Sequence, residues 1–72
     1  MAGDINGNKV RQRRLELGLS RRELSQRTLG HDHIVISTIA SIEDRGNETH
    51  RAQPRTARAL AKALGTDLSK LR

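Results

Sequence analysis

Gly18-Leu19-Ser20-Arg21-Arg22-Glu23-Leu24-Ser25, then Ser37-Thr38-Ile39-Ala40-Ser41-Ile42-Glu43, then Leu60-Ala61-Lys62-Ala63-Leu64-Gly65 are the stretches that decide the fold. The first reads as a turn into a capped helix: Ser20 is a good N-cap, and Glu23 three residues later completes a capping box. The second reads as a helix with a polar, uncharged outer face. The third reads as a packing helix followed by its glycine stop. In this order they describe a helix-turn-helix braced by flanking helices.

The flanking segments fall into the same pattern. Val10, Arg14 and Leu17 recur at i, i+4 and i+7, which predicts a first helix over about Asn6 to Leu17, stopped by Gly18. The second helix runs from Arg21 to about Thr28 with Leu24 inward, and Leu29 to His33 form a connection. Ile34-Val35-Ile36 has strand composition, but Ile36, Ile39 and Ile42 continue at steps of three. The run is therefore read as the apolar lead-in to a third helix whose inner face includes Glu43 and which ends near Arg45, with Gly46 as its stop. Asn47 to Gln53 read as a polar surface loop. Pro54 suits the first position of a fourth helix with Ala57, Leu60, Ala61 and Leu64 inside. Thr66 is the expected cap of a short fifth helix carrying Leu68 and Leu71. Residues 1–5 read as a flexible N-terminal tail and residues 6–72 as one domain. The expected fold is all-α, a compact bundle of about five short helices without a sheet.

Composition bounds the function. Fourteen Lys and Arg against eight Asp and Glu give a formal charge of +6, which favours a polyanionic partner. Without cysteine, no disulfide or thiolate metal site can staple the fold. Without Phe, Tyr or Trp, the chain lacks the aromatic platforms on which single-strand and RNA modules stack bases. No signal peptide or long apolar run is evident, so no membrane partner is expected. His31-Asp32-His33 suggests a metal site, but adjacent ligands of this kind rarely close one and only the distant His50 could join them, so a polar turn is the better reading. With no nucleophile–base pair and no phosphate-cradling glycine loop, neither an enzyme nor a cofactor is expected.

The arrangement resembles the Cro and lambdoid-repressor type of helix-turn-helix protein, the XRE-like regulators, over roughly residues 6 to 71. The likeness rests on Arg14 ahead of Gly18-Leu19-Ser20, on Ile39 and Ile42 followed by Glu43, and on Leu60-Ala61-x-Ala63-Leu64-Gly65. It implies a lambda-repressor-like fold whose second helix crosses the DNA backbone and whose third enters the major groove. The chain departs from the family between Gln26 and Ser37, where the path is longer than the usual turn by roughly three or four residues. Either an extended second helix or a small loop accounts for the extra length. Val35 stands in place of the family's usual polar residue at the start of the third helix.

Arg14 and Glu43 match a family pair that forms an internal salt bridge. Both lie on expected inward faces, where an unpaired charge is costly. Ser37, Thr38 and Ser41 lie on or near the outer side of the third helix, where hydroxyls can bond several base edges. With Arg45 they are the candidate base contacts, the plainer reading being a polar helix surface with Ser37 as a cap. Ser20, Arg21 and Arg22 open the second helix, where N–H groups and the dipole suit a phosphate. Arg11 can reach the same strand, and the resemblance implies that Arg55, after Pro54, approaches the backbone or a narrow minor groove. These five are the candidate backbone contacts, the plainer reading being a solvated basic surface.

The expected function is a sequence-specific double-stranded DNA-binding transcription regulator, a repressor or Cro-like protein of phage type. It would act in the cytoplasm of a bacterial or phage-infected cell, at the nucleoid. The alternative is an antitoxin-like module in which the helix-turn-helix docks a protein partner. The resemblance would make the loop after the third helix, together with the fifth helix, a dimer surface. Here that loop is polar and lacks an aromatic anchor, and Arg51, Arg55 and Arg72 would raise like-charge repulsion near a two-fold axis, so the expectation is a monomer in solution and at most a weak homodimer on its operator.

Overall fold

Asn6 decides where the first helix begins. Its side chain accepts hydrogen bonds from the backbone N–H groups of Asn8 and Lys9, at 3.0 and 3.2 Å, and so caps α1 (Gly7–Glu16). Gly18, at a φ of 69°, lets the chain turn, and Ser20 and Glu23 then close a reciprocal capping box on α2 (Arg21–Arg27). α3 (Ile36–Asp44) and α4 (Pro54–Ala63) follow, with Pro54 in the first turn of α4, where its missing N–H costs nothing. A 3-10 helix, Leu68–Leu71, is the last element. The computed structural model describes residues 4–30 and 32–72, and over them the protein is mostly α-helical.

Two features differ from the sequence reading. Among the described residues there are four α-helices, and the fifth segment is a single 3-10 turn with Asp67, not Thr66, at its cap position. There is also a small sheet. β1 (Asp4–Asn6) pairs antiparallel with β2 (Thr49–Arg51), with Ile5 opposite His50. Asp4 and Ile5 therefore belong to the fold and not to a tail; Met1 to Gly3 lie outside the described residues. Ile5 is wholly buried, which fixes the register, because a slip by one residue would turn it to solvent. Three-residue strands carry too little alternation to be read from sequence.

One core gathers Ile5, Val10, Leu24, Ile34, Ile39, Ile42, Leu60, Leu64 and Leu71. Leu17, expected inward, is 37% exposed because α1 ends at Glu16 and the chain has begun to turn. Ile36 is 44% exposed. Residues three apart are rotated by about 300°, so a run at steps of three drifts around the helix; Ile39, Ile42 and Glu43 face the core and Ile36 lies beyond its edge. The start of α1 packs hard on the end of α3: a Cβ on Gly7 would overlap the Ile42 carbonyl oxygen and sit 3.2 Å from Glu43 Cα. Among the described residues no helix is long and apolar enough to cross a membrane.

The longer path between α2 and α3 is a loop, residues 28–35, and not an extension of α2. Its last turn is pinned at Ile34. The Ile34 N–H donates to Thr28 Oγ1 at 2.8 Å, and Ser25 Oγ donates to the Ile34 carbonyl at 2.6 Å. Thr28 in turn donates to the Ser25 carbonyl at 2.6 Å. Two hydroxyls one helical turn apart thus satisfy both backbone groups of a buried residue, which would be costly left unpaired. The expected His31-Asp32-His33 turn lies in this loop, with His31 outside the described residues.

Candidate nucleic-acid interface

α3 begins without a side-chain cap. Val35 occupies the cap position in extended conformation, and only its carbonyl engages the helix, accepting from the N–H groups of Thr38 and Ile39 at 3.1 and 3.2 Å. Ser37, weighed as a cap from sequence, makes no such bond. With Ile39, Ile42 and Glu43 turned inward, the outer face carries Ile36, Ser37, Ala40 and Ser41, followed by Asp44. Ser37, Ser41 and Arg45 are exposed, and Thr38 is half-buried at the edge of this face.

The face is held from behind by a cluster of ion pairs centred on Glu43. Arg14 donates from Nε and Nη2 to the Glu43 carboxylate at 2.8 and 2.9 Å, and from Nη1 to the Leu19 carbonyl at 2.8 Å. Arg21 adds its Nε at 3.2 Å to Glu43 and its Nη2 at 3.6 Å to Asp44. Burial pushes the Glu43 carboxyl up, but hydrogen bonds and charge from Arg14, then from Arg21, outweigh it and hold the group below the ordinary carboxylate range. The bond to Glu43 likewise raises the Arg14 guanidinium, so both members are charged. The cluster joins α1, α2 and α3 and fixes their relative orientation.

The candidate backbone contacts divide into three situations. Arg11 and Arg22 are exposed on α1 and α2. Arg21, grouped with them from sequence, is half-buried and ties α2 to the two carboxylates of α3, so it acts as a strut as well as a surface cation. Ser20 is exposed, but its Oγ accepts from the Glu23 N–H at 3.1 Å while the Glu23 carboxylate accepts from the Ser20 N–H at 2.9 Å. Those bonds also hold Glu23 below the ordinary carboxylate range. A carboxylate therefore already occupies the start of α2, and attraction for a phosphate there falls to the arginines rather than to free N–H groups. Arg55, with its side chain 72% exposed, stands at the start of α4. Its Nε lies 3.2 Å from Asp32 and 3.1 Å from Gln53 Oε1.

Several residues of this surface escaped the sequence reading. Ser25 and Thr28 pin the loop that aims α3, and the only local hint was their spacing of three on a short helix. Asp32 links that loop to Arg55 and accepts from Thr56 Oγ1 at 3.4 Å, an arrangement with no sequence signature. A concavity of about 450 Å³ lined by Lys9, Gln12, Arg13, Glu16, Thr66 and Lys70 includes no α3 residue. Compared with known proteins, the chain matches no family model, no curated protein and no solved structure.

Proposed function

We propose that this protein is a sequence-specific duplex-DNA-binding transcription regulator, with α2 and α3 acting as a helix-turn-helix of Cro or repressor type and α3 lying in the major groove. The observation that carries the reading is the outer face of α3. It is largely exposed, free of charge from Ile36 to Ser41, backed by the Arg14–Glu43–Arg21 cluster, and bounded by ion pairs that each include an arginine. Arg21 stands toward the C-terminal end, beside Asp44, and Arg55 toward the start, joined through Asp32 to the loop that leads into α3, while Arg22 is exposed on α2. Phosphate contacts from Arg11, Arg22 and Arg55 would give affinity and register, and Ser37, Thr38, Ser41 and Arg45 would meet bases.

The experiment is selection of bound duplexes from a random library, followed by titration of the selected site at rising salt. An enriched motif and a binding constant that falls linearly on a logarithmic salt axis are the expected results. Arg22→Ala and Arg55→Ala should each reduce that slope by about one. A library that yields no motif sinks the reading.

The exposed, adjacent Val35 and Ile36 favour a second reading, a docking surface for a protein partner. Binding carried by that patch would be insensitive to salt and blind to DNA sequence. Free protein is proposed to be monomeric. Leu71 lies in its own core and Leu68 is half-buried, which leaves the 3-10 helix little apolar surface to offer a second copy. A stable dimer in sedimentation at low micromolar concentration overturns this.

A further inference from the structure

Val35 and Ile36 are two β-branched side chains standing 49% and 44% exposed at the start of a helix that no side chain caps. The residue before them behaves oppositely: Ile34 is buried and both its backbone groups are fixed by Ser25 and Thr28. The loop is thus anchored one residue short of the apolar pair, and the pair is held outward by that anchor.

The chemistry of the whole outer face follows from which residues occupy it. From Val35 to Ser41 it offers Val, Ile, Ser, Ala and Ser, with Thr38 at its edge. It contains no Arg or Lys to chelate the O6 and N7 of guanine, and no Asn or Gln to chelate the N6 and N7 of adenine. Short hydroxyls discriminate weakly. What the face supplies strongly is apolar surface, and the one apolar group that a base pair shows in the major groove is the C5-methyl of thymine. The flanking charges are compatible with such a partner: Arg55 stands by the loop that leads into the apolar pair and Arg21 at the far end of α3, each beside a carboxylate, Asp32 and Asp44.

Resting on the proposed major-groove reading, we infer that Val35 and Ile36 are specificity-determining residues that recognise thymine methyl groups. The selected site is therefore expected to be thymine-rich opposite the start of α3. Discrimination there depends on the methyl and not on hydrogen bonding.

The test uses the selected duplex and the same duplex with deoxyuridine replacing thymidine at single positions, which deletes the methyl and keeps the Watson–Crick edge. Wild-type affinity should fall about fourfold for each contacted methyl, the factor expected for losing one buried carbon. In a Val35→Ala/Ile36→Ala variant the thymine–uracil difference should vanish at those positions while binding to the uracil duplex is retained. Because both side chains are about half exposed, the variant should still unfold in one cooperative transition at a modestly lowered temperature, which serves as its folding control. Equal affinity of the wild type for both duplexes overturns the inference and leaves DNA reading intact. A uracil penalty that survives in the double variant also overturns it, by assigning the methyl contact to other residues. If no motif is enriched from the library, both the reading and the inference fall.

Discussion

Thr28 Oγ1 accepts the backbone N–H of Ile34 at 2.8 Å, and neither the hydroxyl nor the Ile34 side chain has access to solvent worth the name. Thr28→Val keeps the shape and removes the acceptor, leaving a buried N–H unpaired. The expected loss is about 1–3 kcal/mol. Melting measures it, and amide exchange at Ile34 should accelerate by at least the same factor. Unchanged exchange at Ile34 would mean that the Ser25 bond and apolar packing hold the loop without the Thr28 hydroxyl.

Arg14→Ala strands the Glu43 carboxylate with only Arg21 beside it. A loss of about 3 kcal/mol is expected, the low end for breaking a buried pair, because Arg21 remains as a partner. The same pair sets an acid limit. Glu43 titrates lower in the folded protein than in the unfolded chain, so its contribution is complete above the unfolded value of 4.5 and disappears as pH falls through the lowered folded value. Denaturant midpoints across that range should fall less steeply for Glu43→Gln than for wild type.

His50 gives a second limit at higher pH. Burial, then the charge of Arg45, lowers its folded value below 6.5, and its Nδ1 is buried with no hydrogen-bond partner among the described residues. Below pH 6.5 the unfolded chain takes up a proton that the folded ring resists, so stability is full above that pH and declines as pH drops past it. His50→Gln should flatten this part of the profile, and an identical profile in the variant refutes the assignment.

Gly7→Ala tests a close approach. Alanine is the better helix former by about 1 kcal/mol, yet its Cβ would run into the Ile42 carbonyl, which is backbone and cannot rotate away. Net destabilisation of about 1–3 kcal/mol is expected by melting. A stabilised variant would show that α1 and α3 can separate without cost.

What the sequence reveals and what it hides divide along the line between local and distant interactions. The Ser20–Glu23 box, Pro54 at the head of α4, and Ala57, Leu60, Ala61 and Leu64 on one face of a helix are all written in neighbouring residues. So are the inward settings of Arg14 and Glu43, which the helical period alone identifies. The β1–β2 pair leaves no such trace, because Ile5 gains its partner only when His50 arrives from the far side of three helices. Arg21 has the same ambiguity: a cation at a helix start can face solvent or a carboxylate, and only the tertiary position of Glu43 decides. The hydroxyls of Ser25 and Thr28 acquire their role from a loop whose course no local rule dictates.

The two-stranded ribbon is too short to be stable alone, so it forms only on the assembled helices. β2 ends at Arg51, and only Ala52 and Gln53 separate it from Pro54 and Arg55, so the N-terminal strand fixes the near end of the segment that carries Arg55. Position 5 is thereby coupled to a cation on α4 that it never touches. Loosening the strand, for instance by Ile5→Ala, would lower duplex affinity without altering one charge, and the deficit would shrink as salt masks the phosphate that Arg55 is proposed to meet. On the proposed DNA reading, the N-terminal strand would behave as an effector of binding that is covalently part of the protein it controls.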